Sequence, residues 1–482
     1  MTDREKQKKS KKKGKSRSRR EYTNILLLFT GIFALLIVYL AWFQITQSRS
    51  VINNSYNARL EILEDEVVRG SILATGGEVL AYTQVSEDGT EKRVYPYGCT
   101  FSHVLGYSEY GKTGIEELGN FQLINSNAYF VERFLNEIQG QKSTGDSLVT
   151  TLDVDLQTVA HDALGTNDGA VIVMEASTGN IRAMVSKPDY DPGTVAANWS
   201  SLSNSDDGVL LNRATQGLYA PGSTFKTITL LEYLRENNMD GSEYSYNCSG
   251  KITVGDTSIS CYHGTAHGEL DLEGAFAESC NSAFADIGSG LDVDSFQELA
   301  QQLLFDTELP VSLSYNQRSV SLYASAAAGI RLMTAIGPGE TRVTPMHMAL
   351  IMSAIANDGV LMTPRFLERT ENYTGTLVES YPTSVYGNLM TSAEASVLQS
   401  YLRAVVEYGT GTALQSDDYT VYGKTGTAEY SSNKDESHAW FTGYASGEKE
   451  DLVVVVIVEG AGSGSAYAVP IAKKIFEAYY AQ

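Results

Sequence analysis

Ser223 and Lys226 stand three residues apart where Ala220-Pro221-Gly222-Ser223-Thr224-Phe225-Lys226 runs into the apolar-periodic Ile228, Leu230, Leu231 and Leu234. Pro221 and Gly222 suit a turn and serine is a favoured helix start, so the pattern predicts a loop that breaks into a helix at Ser223. Residues three apart share a helix face, which brings the hydroxyl and the amine within hydrogen-bonding reach. That is the smallest apparatus for serine acyl transfer. A serine hydroxyl is a weak nucleophile until a base takes its proton, and a lysine is such a base only when burial or a cationic neighbour makes it neutral.

The spacing alone discriminates poorly, because it recurs at Ser10/Lys13, Ser431/Lys434 and Ser446/Lys449, the first in a lysine-rich tail and the others in polar, loop-like sequence. Ser223 is set apart by Ser279-Cys280-Asn281 and Lys424-Thr425-Gly426-Thr427 downstream. These strings have chance copies too: Ser-x-Asn at Ser55, Ser245, Ser314 and Ser431, and Lys-Thr-Gly at Lys112. Lys112 precedes Ser223 and cannot be the third element. Only one ordered set also has the right local pattern, with Ser279 in a helical run (Leu272, Ala275, Phe276, Ser279, Ala283) and Lys424 entering a strand-like stretch. In that order the strings resemble the three signature elements of the penicillin-binding and serine β-lactamase superfamily.

The elements that must hold these residues read as an α+β layered domain. Leu152 to Ala163 is an amphipathic helix, and Gly169 to Ala176 and Ile181 to Ser186 are apolar strands around the turn Ser177-Thr178-Gly179-Asn180. A mainly helical middle holds Ser223, Ser279 and the run Thr344 to Ile355. Strands return at Val421 to Thr427, Ala439 to Ala445 and Leu452 to Val458, the last an unbroken apolar run that reads as a buried central strand. Pro470 is expected to open a final helix through Tyr479. Before Thr150 the chain is turn-rich, with Val67 to Leu73 and Gly76 to Ala81 reading as strand, turn, strand. No paired acids or histidines gather there, so that region is a scaffold or interaction module.

The 482-residue chain carries a net charge of −22 that hides an asymmetry: residues 1 to 20 hold eleven Lys or Arg against two acids, a net +9, leaving −31 on the rest. Ile25 to Ile45 follows, almost wholly apolar and long enough to span a bilayer. A cleaved signal peptide has a shorter apolar core and a small-x-small site, and none precedes Gln47. The positive-inside rule puts the basic head in the cytoplasm and the acidic remainder outside, where that charge argues against nucleic acid as a partner. Four cysteines are too few for a disulfide scaffold. Cys248 and Cys261 flank the hairpin-like Lys251 to Asp256 and could pair in an oxidising exterior. His263, His267 and Cys280 lie near them, but the spacing matches no standard zinc pattern. The expectation is structural cysteines, free or paired, with no metal and no cofactor.

Beyond the three motifs, the chain resembles class B penicillin-binding proteins, monofunctional peptidoglycan D,D-transpeptidases. The supporting stretches are Gly169 to Val173 with Ser177-Thr178-Gly179, Ser186-Lys187-Pro188, Asp191-Pro192, Ile336-Gly337-Pro338-Gly339 with Thr344-Pro345, and His438-Ala439-Trp440-Phe441. Arg69-Gly70, Gly77 to Ala81 and Gly111 to Glu116 resemble the non-catalytic pedestal of that class. Two departures stand out: Pro338 where the family commonly has Gln, and Thr75-Gly76 where Asp-Arg or Asp-Asn is usual before the glycine. The resemblance implies a basic cytoplasmic tail (1–23), a transmembrane helix (24–45), a β-rich pedestal or dimerisation domain (46–150) and a transpeptidase domain (151–482) with an antiparallel sheet flanked by helices.

It also implies residue roles. Ser223 is the nucleophile toward D-Ala-D-Ala stem peptides and β-lactams, Lys226 the base, Ser279 the proton shuttle and Asn281 the ligand of the substrate amide. Lys424 supplies positive charge, Thr425 and Thr427 contact the terminal carboxylate beside Gly426, and the backbone N–H groups of Ser223 and Thr427 form the oxyanion hole. A membrane glycosyltransferase of wall synthesis is the implied partner.

Rival readings separate on residues. A class A β-lactamase needs Glu-x-x-Leu-Asn after the second motif; Glu132 to Asn136 fits that string but precedes Ser223, and Glu368 to Asn372 lacks the Leu. Without a deacylating base, slow turnover of the acyl-enzyme is expected, as in a transpeptidase or penicillin sensor. A D,D-carboxypeptidase stays open, because motifs do not separate water from amine acceptors. A binding-only scaffold would be expected to have lost one of Ser223, Lys226, Ser279, Asn281 or Lys424. No Gly-x-Ser-x-Gly elbow supports a Ser-His-Asp hydrolase.

Overall fold

The computed structural model describes residues 3–46, 64–128, 136, 138–316, 328–429 and 437–481. Ser55, the Ser431/Lys434 pair and Glu132 to Leu135 lie outside the described residues. The chain forms two units, Met1–Ile62 and Leu63–Gln482. The first holds one helix, Asp3–Thr46, whose Glu21–Gln44 stretch, of mean hydropathy 2.6, is long and apolar enough to cross a membrane.

In the second unit five strands build the main sheet: β1 (Gly169–Glu175), β2 (Ile181–Lys187), β3 (Thr420–Glu429), β4 (Ser437–Ser446) and β5 (Leu452–Val458). Their order is β3-β4-β5-β1-β2, antiparallel throughout. The unbroken apolar run of β5 is explained by its central place with both faces covered. Alternate residues point to opposite faces. Val453, Val455 and Ile457 therefore join the core on one side, and Val454, Val456 and Val458 the core on the other.

Helices that cover this sheet or carry residues of the cleft include α1 (Val154–Leu164), α2 (Lys226–Glu236), α3 (Leu272–Ala277), α4 (Asn281–Gly290), α5 (Pro345–Ala356) and α6 (Gly464–Tyr480). α1 and α6 cover one face of the sheet, Leu156, Ala160, Ile471 and Ile475 meeting Val171, Val173 and Val454. The wholly buried α5 covers the other, capped by Thr344, whose hydroxyl accepts from the His347 N–H. Against expectation, Pro470 does not open α6 but sits inside it, on an exposed turn. There the carbonyl it leaves unpaired can be met by water.

The pedestal sheet orders its strands Leu377–Ser380, Leu367–Glu371, Ser147–Thr150, Ile72–Leu73, Val79–Val85 and Glu91–Val94. Its first two strands come from far downstream, between α5 and β3, with Thr370 opposite Leu148. Thr75, one of the departures from the family pattern, donates to Glu368 of that downstream hairpin at 2.9 Å. In the same region Glu116, wholly buried in the short helix Gly114–Leu118, accepts from Arg69 at 2.7 Å, Arg93 at 2.8 Å and the Tyr95 hydroxyl at 3.1 Å. Burial would raise its carboxyl, but the two guanidiniums outweigh it and hold the group down at about 2.

Candidate active site

Gly222–Phe225 forms a 3₁₀ turn that feeds α2, so Ser223 stands one turn before the α-helix proper. Ser223 is not the cap of this turn, a place Pro221 takes, and it lines the cleft. Gly222 has φ +53°, and a Cβ there would lie 2.7 Å from the Thr427 carbonyl oxygen of β3. The turn and the strand are thus in direct contact, and the Trp440 indole N–H, donating to the Ala220 carbonyl at 3.1 Å, ties the same loop to β4. Gly426 is needed for the same approach: its Cβ would stand 2.9 Å from the Thr224 methyl.

The helical run read through Ser279 is broken in the structure. α3 ends at Ala277, α4 begins at Asn281, and Ser279 occupies the left-handed region at φ +56°. A non-glycine residue there is strained and is held by its surroundings. What holds it is Lys226, which donates to the Ser279 carbonyl at 2.7 Å, the Ser279 hydroxyl at 3.2 Å and Asn281 Oδ1 at 2.7 Å. The first two motifs are therefore joined through one buried amine. No hydrogen bond among the described residues links that amine to Ser223. An ammonium can only donate, so it turns to acceptors; a neutral amine would have a lone pair to offer the serine hydroxyl.

Lys226 and Lys424 are both fully buried. Burial pulls Lys226 down to about 7, against the opposing influence of the Cys280 and Cys261 thiols. Lys424 is also held well below its ordinary value, by burial first and then by the Lys226 charge, with Glu278 opposing. The repulsion between them is mutual, so a proton on one disfavours a proton on the other. Lys424 sits 5.4 Å from the centre of the Phe276 ring and donates to the Thr425 carbonyl at 3.3 Å.

Ser223, Ser279, Asn281, Thr425, Gly426 and Thr427 line one cavity of about 520 Å³. Lys226 and Lys424 lie buried behind its wall. Among the described residues β3 is the edge strand, and one side of Lys424 to Thr427 has no strand partner there. Such an edge can pair with an extended peptide. Sequence reasoning missed Thr410, whose hydroxyl meets that of Thr425 at 2.6 Å, and Tyr262, which also lines the cavity. Neither belongs to a motif; only the folded chain brings them to the cleft.

An antiparallel sheet with a serine turn, a buried lysine behind it and a threonine-bearing edge strand is the layout of a serine acyl-transferase. Comparison with known proteins agrees. The penicillin binding protein transpeptidase domain matches residues 169–477, and the penicillin binding protein A dimerisation domain matches residues 69–148. The chain therefore belongs to the penicillin-binding protein transpeptidase family. Peptidoglycan D,D-transpeptidase PbpA of Mycolicibacterium smegmatis is 30% identical over 446 residues, 86% of this chain and 90% of the relative. Peptidoglycan D,D-transpeptidase MrdA of Haemophilus influenzae is 27% identical over 81% of this chain and 70% of its own length. Among solved structures, the D,D-transpeptidase domain of a peptidoglycan glycosyltransferase from Eggerthella lenta superposes with TM-score 0.76 at 30% identity, covering 86% of this chain and all of that one. Penicillin-binding protein A of M. tuberculosis as its imipenem acyl-enzyme gives 0.77 at 27% identity, covering 87% and 100%.

Proposed function

We propose that this protein is a peptidoglycan D,D-transpeptidase that cross-links stem peptides through an acyl-enzyme on Ser223 and is acylated at the same residue by β-lactams. The observation that carries this reading is the convergence of Ser223, the Lys226-held Ser279 and Asn281, and the Thr425 to Thr427 edge on one cavity. Neutral Lys226 takes the Ser223 proton as Oγ bonds to the penultimate D-alanine carbonyl. The amide to the terminal D-alanine then breaks, and the proton reaches its nitrogen by way of Lys226 and the Ser279 hydroxyl. An amine from a neighbouring stem attacks the ester, forms the cross-link and frees Ser223. No outside energy source is needed, because the cleaved amide is replaced by another.

The remaining roles obey the same chemistry. Asn281 holds the substrate amide. Burial and the Lys226 charge hold the Lys424 amine below its ordinary value, and a substrate carboxylate arriving beside Thr425 and Thr427 favours its charged form. The backbone N–H groups of Ser223 and Thr427 face the developing oxyanion. Residues 1–23 form a cytoplasmic tail, 24–45 the membrane anchor, 46–150 with the 367–380 hairpin the pedestal, and the rest of 151–482 the catalytic domain outside the cell, working beside a membrane glycosyltransferase.

Intact-mass spectrometry of the detergent-purified chain with penicillin tests the reading. The expected result is one adduct per chain that persists for hours and is absent from Ser223→Ala. An adduct that vanishes within seconds would make the protein a β-lactamase; no adduct would leave only a binding scaffold.

A further inference from the structure

Three cysteines and a histidine unused by the mechanism converge beside the Ser279 turn. Cys248, Cys261 and Cys280 are buried, His267 is partly so, and their ligand atoms all lie within 4.8 Å of one another. We propose that Cys248, Cys261, His267 and Cys280 bind one zinc ion as a closed tetrahedral site, and that the bound metal fixes the Ser279-Cys280-Asn281 turn in its catalytic geometry.

The distances fit a metal and not a disulfide. A disulfide needs sulfurs about 2.05 Å apart. Cys248 and Cys261 stand at 3.6 Å and Cys261 and Cys280 at 3.7 Å, while Cys248 Sγ is 3.3 Å from His267 Nδ1. Tetrahedral zinc with arms of about 2.3 Å to sulfur and about 2.0 Å to nitrogen demands edges of roughly 3.5 to 3.8 Å. Three soft thiolates and an imidazole select zinc over harder cations, and four protein ligands leave no open position, so the site is structural.

The surroundings suit an anionic metal–thiolate cluster. Backbone N–H groups of Gly250 and Ala283 each donate to a sulfur, Cys248 and Cys280 respectively, at 3.4 Å, and the Ser282 hydroxyl meets Cys261 Sγ at 3.1 Å. Cys280 caps the ten-residue α4, where the helix N-terminus favours a thiolate.

The proposal departs from the expectation of no metal, and the reason is topological. The ligands succeed one another after gaps of 12, 5 and 12 residues, which matches no familiar zinc spacing. Pairing of Ser245–Cys248 with Gly268–Asp271 sets Cys248 beside His267, since its register partner is Gly268. The hairpin Lys251–Val254/Thr257–Ser260 returns the chain so that the Cys261 N–H bonds to the Gly250 carbonyl. His263, the other histidine nearby, is not in the group.

Cys280 lies between the two residues that accept from Lys226, so a ligand bond there anchors the strained turn. This positioning role rests on the transpeptidase reading; the metal content does not. The test uses the full chain purified in detergent without a metal-binding tag. Plasma mass spectrometry should find one zinc per chain, and cobalt exchange should give tetrahedral d–d bands with sulfur-to-cobalt charge transfer of three-thiolate intensity. Cys248→Ser should lose the metal and slow penicillin acylation by about 10²-fold, the scale expected when a catalytic group is misplaced, while Cys99→Ala keeps both. Wild-type protein with no zinc before or after reconstitution, or with a Cys248–Cys261 disulfide, would overturn the proposal even if the variant failed to fold. Metal loss in Cys248→Ser with unchanged acylation would overturn the positioning role alone.

Discussion

At the scale of single residues, the catalytic question is which protons the two buried lysines hold. With Lys226 drawn down to about 7, its base form is a minority below neutrality and dominant above it. The second-order rate constant for penicillin acylation should therefore rise about tenfold per pH unit up to roughly 7 and level off beyond it, since only neutral Lys226 accepts the serine proton. A flat profile from pH 5.5 to 8.5 would remove Lys226 as the base. Gly426 makes a second, steric prediction. A methyl group there meets the Thr224 methyl at 2.9 Å and the Trp440 Cβ at 3.0 Å, neither at the end of a flexible chain. Gly426→Ala should cost about 1–3 kcal/mol of stability from overpacking and reduce acylation by about 10²-fold through displacement of Ser223. Thermal melting and penicillin labelling measured together separate the two effects. The motif residues were legible because three short strings in a fixed order are improbable by chance. Thr410 was not, because it meets Thr425 only when the Ala277 carbonyl has bonded the Thr410 N–H and brought that loop to the strand.

Elements were legible where local pattern and tertiary setting agree. The apolar run of β5, the Asp153-capped α1 and the Thr344-capped α5 each carry their own signal. The turn at Ser279 carries a misleading one: its apolar spacing is helical on both sides, and what breaks the helix is a bond from Lys226, more than fifty residues earlier. The same holds in the pedestal, where the Arg69-Gly70 and Gly111 to Glu116 stretches look unrelated until Glu116 is seen between two guanidiniums. Removing the carboxylate leaves both arginines without their buried counter-charge. Glu116→Gln should therefore lose roughly 3–5 kcal/mol at pH 7 in denaturant titration. Because folding lowers this group from 4.5 to about 2, its contribution is present above 4.5 and is lost as pH falls through that window toward 2. The gap between wild type and variant should narrow accordingly on acidification, and a gap constant from pH 7 to 3 would show that Glu116 is not held as a carboxylate by its arginines.

At the scale of the molecule, sequence order suggests a cut near residue 150 between pedestal and catalytic domain, yet the sheet crosses it. Leu367–Glu371 and Leu377–Ser380 lie beyond α5 in the chain, but they complete the pedestal sheet by pairing with Ser147–Thr150. No periodicity within 367–380 reveals a partner more than two hundred residues away, which is why this join is invisible until the chain is folded. The join extends past the strands. The Thr151 hydroxyl donates to the carbonyls of Ile181 and Arg365, each at 2.8 Å, and Thr75 reaches Glu368. A fragment starting at 151 would strip the hairpin of its neighbour and expose an unpaired strand beside the apolar Leu367, a template for association with other copies. A fragment starting at 63 would keep the whole second unit intact. Expressed side by side, the longer fragment should be monodisperse and acylated by penicillin at the full-chain rate, and the shorter one should aggregate or melt at a markedly lower temperature. Equal stability of the two would mean that the hairpin folds on the catalytic domain without the pedestal, and that the pedestal is carried by this enzyme as a separable module.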